Sequence, residues 1–332
     1  MIQIPDFFTI RTRLTEDPDQ FGEIALQVFQ YQYENNEIYR AFCQLIGVFP
    51  EQVDEYRKIP FLPISFFKSQ AVTCFEPIWA ERIYTSSATT GSVQSRHYVR
   101  KYINYRQSFE GAFEQFYGTP SDWCILALLP NYLEREGSSL VEMARDLIDD
   151  SRHPDSGFYL NNLDELVNTI HRLVASGTRI LLLGVTYALL DLAELGPFDW
   201  NSVVIMETGG MKGRRKELIR EELHTLLNTA FNTSSIHSEY GMTELLSQGY
   251  SPGNGIFYCP PWMKIVMRDT HDPLSLLSGT KTGGINVIDL ANIDSCSFIA
   301  TQDLGKVYGD GSFEVLGRFD NSDIRGCNLM VS

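Results

Sequence analysis

Between Asp122 and Met206, short apolar runs alternate with stretches of helical spacing. Trp123-Cys-Ile-Leu-Ala-Leu-Leu129 is bounded by turn residues and reads as a buried strand, and Arg179–Gly184 and Ser202–Met206 read as two more. Leu163–Val174 and Thr186–Leu195 read as the helices between them. Strands alternating with helices imply a parallel sheet with right-handed crossovers. Glu207-Thr-Gly209-Gly210-Met-Lys212-Gly213 then follows, before a helix rich in Leu and Glu. Strand, glycine turn, helix is the layout of a nucleotide crevice at the strand carboxyl ends. Gly-x-Gly-x-x-Gly is absent, so this is not the dinucleotide pattern, and a plain βα turn has the same composition.

The flanks differ from this centre. Residues 1–80 read mostly helical, with Phe21, Ile24, Ala25, Val28 and Phe29 at helical spacing and Pro60 and Pro63 ending the pattern. Tyr98–Tyr117 has helix spacing. Ser139 and Glu142 fit a capping box ahead of another helix. A nucleophilic serine at Ser138 or Ser139 is the sharper alternative, but the sequence offers it no base partner. His153, beside Pro154 in a polar turn, is expected to be exposed. From Gly255 onward, Trp262–Met267, Gly284–Leu290, Ser297–Ala300 and Ser312–Leu316 read as short strands of a smaller β subdomain. The expected organisation is a helical layer over 1–80, an α/β nucleotide-binding core over 81–254 and a β-rich subdomain with a short tail over 255–332, all one catalytic unit.

Composition narrows the function classes. The net charge of −15 argues against nucleic-acid binding, which needs a basic surface, yet a nucleotide needs only a few local cations. No apolar run is long enough for a membrane span, and Met-Ile-Gln-Ile-Pro-Asp lacks the pattern of a secretory signal. Six cysteines, no two closer than 31 positions, indicate neither a zinc site nor a disulfide framework. A cytoplasmic protein is expected.

A hydroxyl-rich stretch, Thr85-Ser-Ser-Ala-Thr-Thr-Gly-Ser-Val-Gln-Ser-Arg96, follows the strand-like Glu81-Arg-Ile-Tyr84. Hydroxyls and exposed backbone N–H groups suit a triphosphate, and Gly91 permits a tight turn; an ordinary Ser/Thr-rich hairpin has the same look. Downstream come His237-Ser-Glu-Tyr-Gly-Met-Thr-Glu244, Ala300-Thr-Gln-Asp303 and Gly317-Arg-Phe-Asp320. In this order the set resembles the adenylate-forming superfamily of acyl-CoA synthetases, peptide-synthetase adenylation domains and luciferases. Lys58-Ile-Pro-Phe-Leu-Pro-Ile-Ser-Phe-Phe-Lys68, Leu128-Leu-Pro-Asn-Tyr-Leu-Glu-Arg135 and Gly317-Arg-Phe-Asp-Asn-Ser-Asp-Ile-Arg-Gly-Cys327 are similar to one branch, the LuxE-type acyl-protein synthetases, related to phenylacetate-CoA ligase. The resemblance runs from about Lys58 to Val331 and implies an α/β fold like the N-terminal domain of those enzymes, parallel sheets with flanking helices plus a smaller β subdomain, the mobile C-terminal domain largely absent.

The resemblance also implies roles. Thr85, Ser86, Ser87, Thr89, Thr90 and Gly91 would hold the β- and γ-phosphates of ATP. Gly209 and Gly210 would line the adenine pocket. Tyr240 would stack on adenine, with Gly241 beside it in the nucleotide site. Thr243 would donate to the α-phosphate, Glu244 would bind Mg²⁺, Asp303 would accept from both ribose hydroxyls, and Arg318 would meet ribose or phosphate. Cys327 would take the acyl group from the adenylate. His237 is either an acyl contact or a packed histidine. Three departures stand out: Ala88 replaces the usual glycine, Gln94 replaces the usual lysine, and with six residues after Gly326 the C-terminal-domain lysine is expected to be missing. Lys212 or Arg96 could replace it. The implied reaction is ATP-dependent activation of a carboxylic acid, fatty or aromatic, and transfer to a protein thiol, with an acyl reductase or acyl carrier as partner. The alternatives are an acyl- or aryl-CoA ligase and a non-catalytic subunit that keeps the fold.

Overall fold

The computed structural model describes residues 4–87, 93–129, 137–159, 162–209 and 218–318. The chain begins with helices α1 (Phe7–Glu16), α2 (Phe21–Asn35) and α3 (Glu37–Leu45). Asp6 and Asn36 accept from backbone N–H groups at the first turns of α1 and α3, satisfying donors that a helix start leaves orphaned. α2 buries Phe21, Ile24, Ala25, Val28 and Phe29, the residues whose spacing marks the helix in the sequence. Gln32 on the same face donates to the carbonyls of Asn292 and Ile293 and accepts from Ser297 N–H. One amide thus ties the N-terminal layer to the C-terminal sheet.

A two-residue strand β1 (Leu62–Pro63) and a short helix α4 (Phe66–Ser69) lead to a hairpin of β2 (Arg82–Thr85) and β3 (Arg96–Val99). Helix α5 (Tyr102–Tyr117) follows. Tyr98 therefore lies in a strand, not in the helix its spacing suggests, because it pairs with Ile83 across the hairpin. That pairing is non-local, and helical spacing alone does not report it.

The central sheet contains β4 (Cys124–Leu128), then β5 (Gly157–Phe158) after helix α6 (Ser139–Ser151), and β6 (Ile180–Gly184) after helix α7 (Leu163–Ala175). Helix α8 (Thr186–Ala193) leads to β7 (Val203–Glu207), and helix α9 (Arg220–Phe231) to β8 (His237–Tyr240) and β9 (Gly249–Ser251). The strand order is β5-β4-β6-β7-β8-β9, parallel throughout except for the β8–β9 pair. Cys124–Leu128 and Ile180–Gly184 are buried at every position, which is why they read as continuous apolar runs: helices cover both faces. Ser138, not Ser139, caps α6, accepting from Val141 N–H at 3.4 Å. Glu142 closes no capping box; it accepts from Arg82 Nε at 2.6 Å and from the Tyr84 hydroxyl, binding α6 to the hairpin. His153 is half-buried rather than exposed, with Nδ1 accepting from Asp155 N–H at 3.2 Å.

The last part is antiparallel. β10 (Ile256–Phe257), β11 (Met263–Arg268), β12 (Thr282–Asp289), β13 (Phe298–Val307) and β14 (Phe313–Arg318) form a sheet in the order β10-β14-β13-β12-β11, with β1 alongside β13. β13 is longer than Ser297–Ala300, so Thr301-Gln-Asp303 lies within the strand, with Asp303 paired to Arg318 of β14. Among the described residues no helix is long and apolar enough to cross a membrane.

Candidate active site

The hairpin, the carboxyl ends of β7 and β8, and the β13–β14 pair bring most of the described candidate residues together. At the hairpin neck, Ser86 N–H donates to Ser95 C=O, and Ser86 Oγ accepts from Ser95 N–H at 3.0 Å. Gln94 donates to Ser86 C=O at 3.0 Å, so the residue in place of the usual lysine braces the loop neck. Thr85 N–H donates to Gly137 C=O. Ala88, Thr89, Thr90 and Gly91 lie outside the described residues.

His97, two positions beyond the neck, is fully buried. Its Nδ1 lies 2.8 Å from Thr243 C=O and its Nε2 lies 2.9 Å from Asn292 Oδ1. Asn292 in turn donates to Glu244 C=O at 2.9 Å. The hydroxyl hairpin is thereby bolted to the backbone of the Thr243-Glu244 turn. Glu244 itself is buried. Burial pushes its carboxyl pKa upward, opposed by a hydrogen bond from Ser95. A carboxylate desolvated in this way gains most from a hard cation, and Mg²⁺ takes only one or two protein carboxylates beside phosphates and waters. Among the described residues no three His, Cys, Asp or Glu side chains gather into a metal cage. A site with Glu244 alone fits Mg²⁺ brought in by phosphates.

Tyr240, Asp303 and Arg318 form the second cluster. The Tyr240 hydroxyl donates to Asp303 Oδ2 at 2.9 Å, and Arg318 Nε donates to Oδ1 at 3.1 Å. Asp303 and Arg318 are cross-strand partners, so the sheet register makes the pair. The Tyr240 ring is buried, edge-on to Phe313 with centroids 5.4 Å apart. Beneath Asp303, the buried Arg268 donates to the carbonyls of Ile285 and Thr301 and to Asn286 Oδ1. Burial pulls the Arg268 pKa down to about 10, still cationic at neutral pH, with the Asp303 charge opposing the fall.

The glycine turn after β7 is organised by Glu207. Its carboxylate accepts from Gly209 N–H at 2.8 Å and from Arg220 Nη1 at 2.9 Å. Burial works to raise its pKa, but His224, the Arg220 charge and the Gly209 N–H together bring it down to about 2. Gly209 has φ +73°, a left-handed conformation that glycine adopts without strain. Gly210 and Lys212 lie outside the described residues, as does Cys327. The other proposed stand-in, Arg96, is exposed on β3. His237 is packed, with Nδ1 3.2 Å from the Tyr117 hydroxyl and its pKa lowered by burial.

Solved structures share this fold. 2-Hydroxyisobutyryl-CoA ligase in complex with 2-HIB-AMP superposes with a TM-score of 0.68 at 12% identity, over 92% of this chain and 69% of that one. ATP-bound MatB from Rhodopseudomonas palustris superposes with a TM-score of 0.53 at 17% identity, over 71% of this chain. The fold is that of the adenylate-forming enzymes. This chain resembles their LuxE-type branch: it is 24% identical over 358 residues, covering 96% of this chain and 89% of the other, to a long-chain-fatty-acid–luciferin-component ligase of Vibrio harveyi. The match to MatB spans about half of that chain, 47%. No family model matches the sequence.

Within this adenylate-forming fold, several residues carry the site that their sequence neighbourhoods do not announce. His97, Asn292, Arg268 and Glu207 are four of them. His97 and Asn292 are 195 positions apart. Only a buried histidine or arginine in an apolar strand hints at such a role, and that signal is shared by ordinary core residues. Asp289 is another: it accepts from the N–H groups of Leu246, Ser247 and Ala291 and from the Ser247 hydroxyl, shaping the chain after Glu244.

Proposed function

We propose that this protein activates a long-chain fatty acid with ATP and passes the acyl group to a protein thiol in the cytoplasm. The observation that carries the reading is the bolt made by His97, which holds the hydroxyl hairpin against Thr243 and Glu244 at the strand ends. The same region holds the Tyr240–Asp303–Arg318 cluster on the adjoining sheet. The acid class comes from the similar Vibrio harveyi ligase, whose name states a long-chain fatty acid.

In the first step a carboxylate oxygen of the acid attacks the α-phosphorus and pyrophosphate leaves. Thr85, Ser86 and Ser87, with Thr89, Thr90 and Gly91, receive the β- and γ-phosphates. Thr243 donates to the α-phosphate, where charge develops, and Arg318 adds a cation at ribose or phosphate. Gly209 and Gly210 line the adenine pocket, while Tyr240 and Gly241 border the base and Asp303 accepts from ribose hydroxyls. Glu244 would hold Mg²⁺, which when bound would supply positive charge against the phosphates. In the second step a thiolate sulfur attacks the acyl carbonyl and AMP leaves.

The acceptor we infer is Cys327. The five described cysteines are free thiols, and burial raises the pKa of each, to about 12 for Cys43 and about 11 for Cys124. Such thiols are poor sources of thiolate. The partner that then takes the acyl group is an acyl reductase or an acyl carrier.

The test is pyrophosphate release with ATP, Mg²⁺ and a panel of acids, with and without CoA. Acid-dependent release and labelled protein support the reading. Labelled acyl-CoA in place of labelled protein makes the protein a CoA ligase, and no release with any acid makes it a non-catalytic subunit.

A further inference from the structure

One face of the β8–β9 ladder carries two buried polar atoms and a carboxyl that no described residue satisfies. Glu239 and Tyr250 stand directly opposite each other across the ladder, so their side chains share a face. Gln248 comes next along that face, its Cγ 3.5 Å from where a Cβ on Gly241 would sit. Tyr250 is 1% exposed and Gln248 4% exposed. Yet the Tyr250 hydroxyl and Gln248 Oε1 have no hydrogen-bond partner among the described residues. The half-buried Glu239 carboxyl makes no hydrogen bond among the described residues and lies over Gly241, where a Cβ would overlap Oε1. Phe116 and Tyr117 wall the face, with ring centroids 5.3 and 5.4 Å from that of Tyr250.

Buried polar groups are nearly always satisfied, so two buried orphans beside a half-buried carboxyl on one face call for a ligand. Their place says which. Tyr240, on the opposite face of the same strand, points to Asp303 and the nucleotide side. Gly241 precedes Thr243 by two residues, and the acid must meet the α-phosphate at Thr243. The face of Glu239, Gln248 and Tyr250 therefore borders the space for the acid's chain.

We propose that this face is a subsite for a hydroxyl group on the chain of the acid, so that the preferred substrate is a hydroxylated fatty acid. The proposal rests on the reading of the protein as an acid-activating enzyme. A hydroxyl carries one donor and two acceptor sites. It donates to Gln248 Oε1 and accepts from the Tyr250 O–H, and the Glu239 carboxyl supplies a further contact. Burial, and then the neighbouring Glu207 charge, push the Glu239 pKa up to about 8. The carboxyl is therefore largely neutral at pH 7, which suits a hydroxyl better than an ammonium. A plain alkyl chain in this place leaves all three groups unsatisfied.

The experiment compares kcat/KM for acid-dependent pyrophosphate release with tetradecanoic acid, with versions hydroxylated at successive chain positions, and with the terminal amine. It uses wild type, Tyr250→Phe and Glu239→Gln. Tyr250→Phe keeps the ring and removes only the hydroxyl. The expected result is a hydroxylated acid preferred over the plain one by about tenfold or more, with that ratio reduced several-fold in Tyr250→Phe. The proposal is overturned if the plain acid or the amine is preferred, or if the ratio is unchanged in both variants. Absence of release with every acid sinks the activation reading instead. Calorimetric binding of the same acids then decides the subsite: preference for a hydroxylated acid that is lost in Tyr250→Phe supports it, and equal binding overturns it.

Discussion

The ends of β7 and β8 each carry a glutamate, and the two have opposite surroundings. Glu207 is saturated: an arginine, a backbone N–H and a histidine converge on it, and its pKa falls to about 2. Glu239, on the neighbouring strand, has no hydrogen-bond partner among the described residues, and its pKa rises to about 8. Burial acts on both in the same direction, so the difference lies in the partners. A saturated carboxylate organises backbone, here the glycine turn at Gly209. An unsaturated one stores unused hydrogen-bonding capacity that only a ligand can take up. Asp289 belongs with Glu207 in this respect, while Glu244, buried with a hydrogen bond from Ser95, lies between the two.

The largest effect is expected at Glu244. Glu244→Gln keeps the shape and removes the charge that would hold Mg²⁺, so acid-dependent pyrophosphate release is expected to fall by about a thousandfold or more, with an unchanged melting temperature. Wild-type release from this variant would remove Glu244 from the metal site. Glu207→Ala should do the reverse. It strands Arg220 beside a cavity and is expected to cost about 3 kcal/mol of stability in urea unfolding. A stability loss near zero would show that Glu207 does not organise the turn.

Smaller effects sharpen the contrast. Asp303→Ala removes acceptors of charge-assisted hydrogen bonds worth roughly 1.5–3 kcal/mol each. ATP binding measured by calorimetry should weaken on the order of tenfold to a hundredfold, and unchanged affinity would take Asp303 out of the nucleotide site. The least effect concerns pH. Glu207, depressed when folded, contributes stability above the ordinary carboxyl range that is lost as pH falls toward about 2. Glu239, raised when folded, does the opposite: the folded state holds its proton longer, so stability falls as pH rises from about 4.5 to about 8. Glu239→Gln should therefore gain stability over wild type at pH 8 and little at pH 4. Equal differences at the two pH values would deny Glu239 its raised pKa.

How much of this was legible beforehand depends on how local each signal is. Cys124–Leu128 and Ile180–Gly184 announce themselves because strands covered on both faces must be apolar at every position. The Tyr240, Asp303 and Arg318 cluster follows from ordered motifs, although nothing local says that Asp303 sits inside a long strand opposite Arg318. The cap of α6 shifts by one residue, to Ser138, because Glu142 is drawn away by Arg82 and Tyr84, 58 or more positions off. His97 looks like any strand histidine until the fold brings Thr243 from 146 positions away to its ring. Long-range partners of that kind leave no periodic trace.

On the proposed reading the site makes an activated acyl group and Cys327 receives it. The most direct measurement is incubation with ATP, Mg²⁺ and radiolabelled fatty acid, followed by hydroxylamine, on wild type and on Cys327→Ala. Alanine is the better replacement, because a serine could itself take the acyl group as an oxygen ester. The expected result is a hydroxylamine-labile label on wild type that depends on ATP and is lost in Cys327→Ala, while pyrophosphate release persists. A labile label that remains undiminished in Cys327→Ala would contradict it.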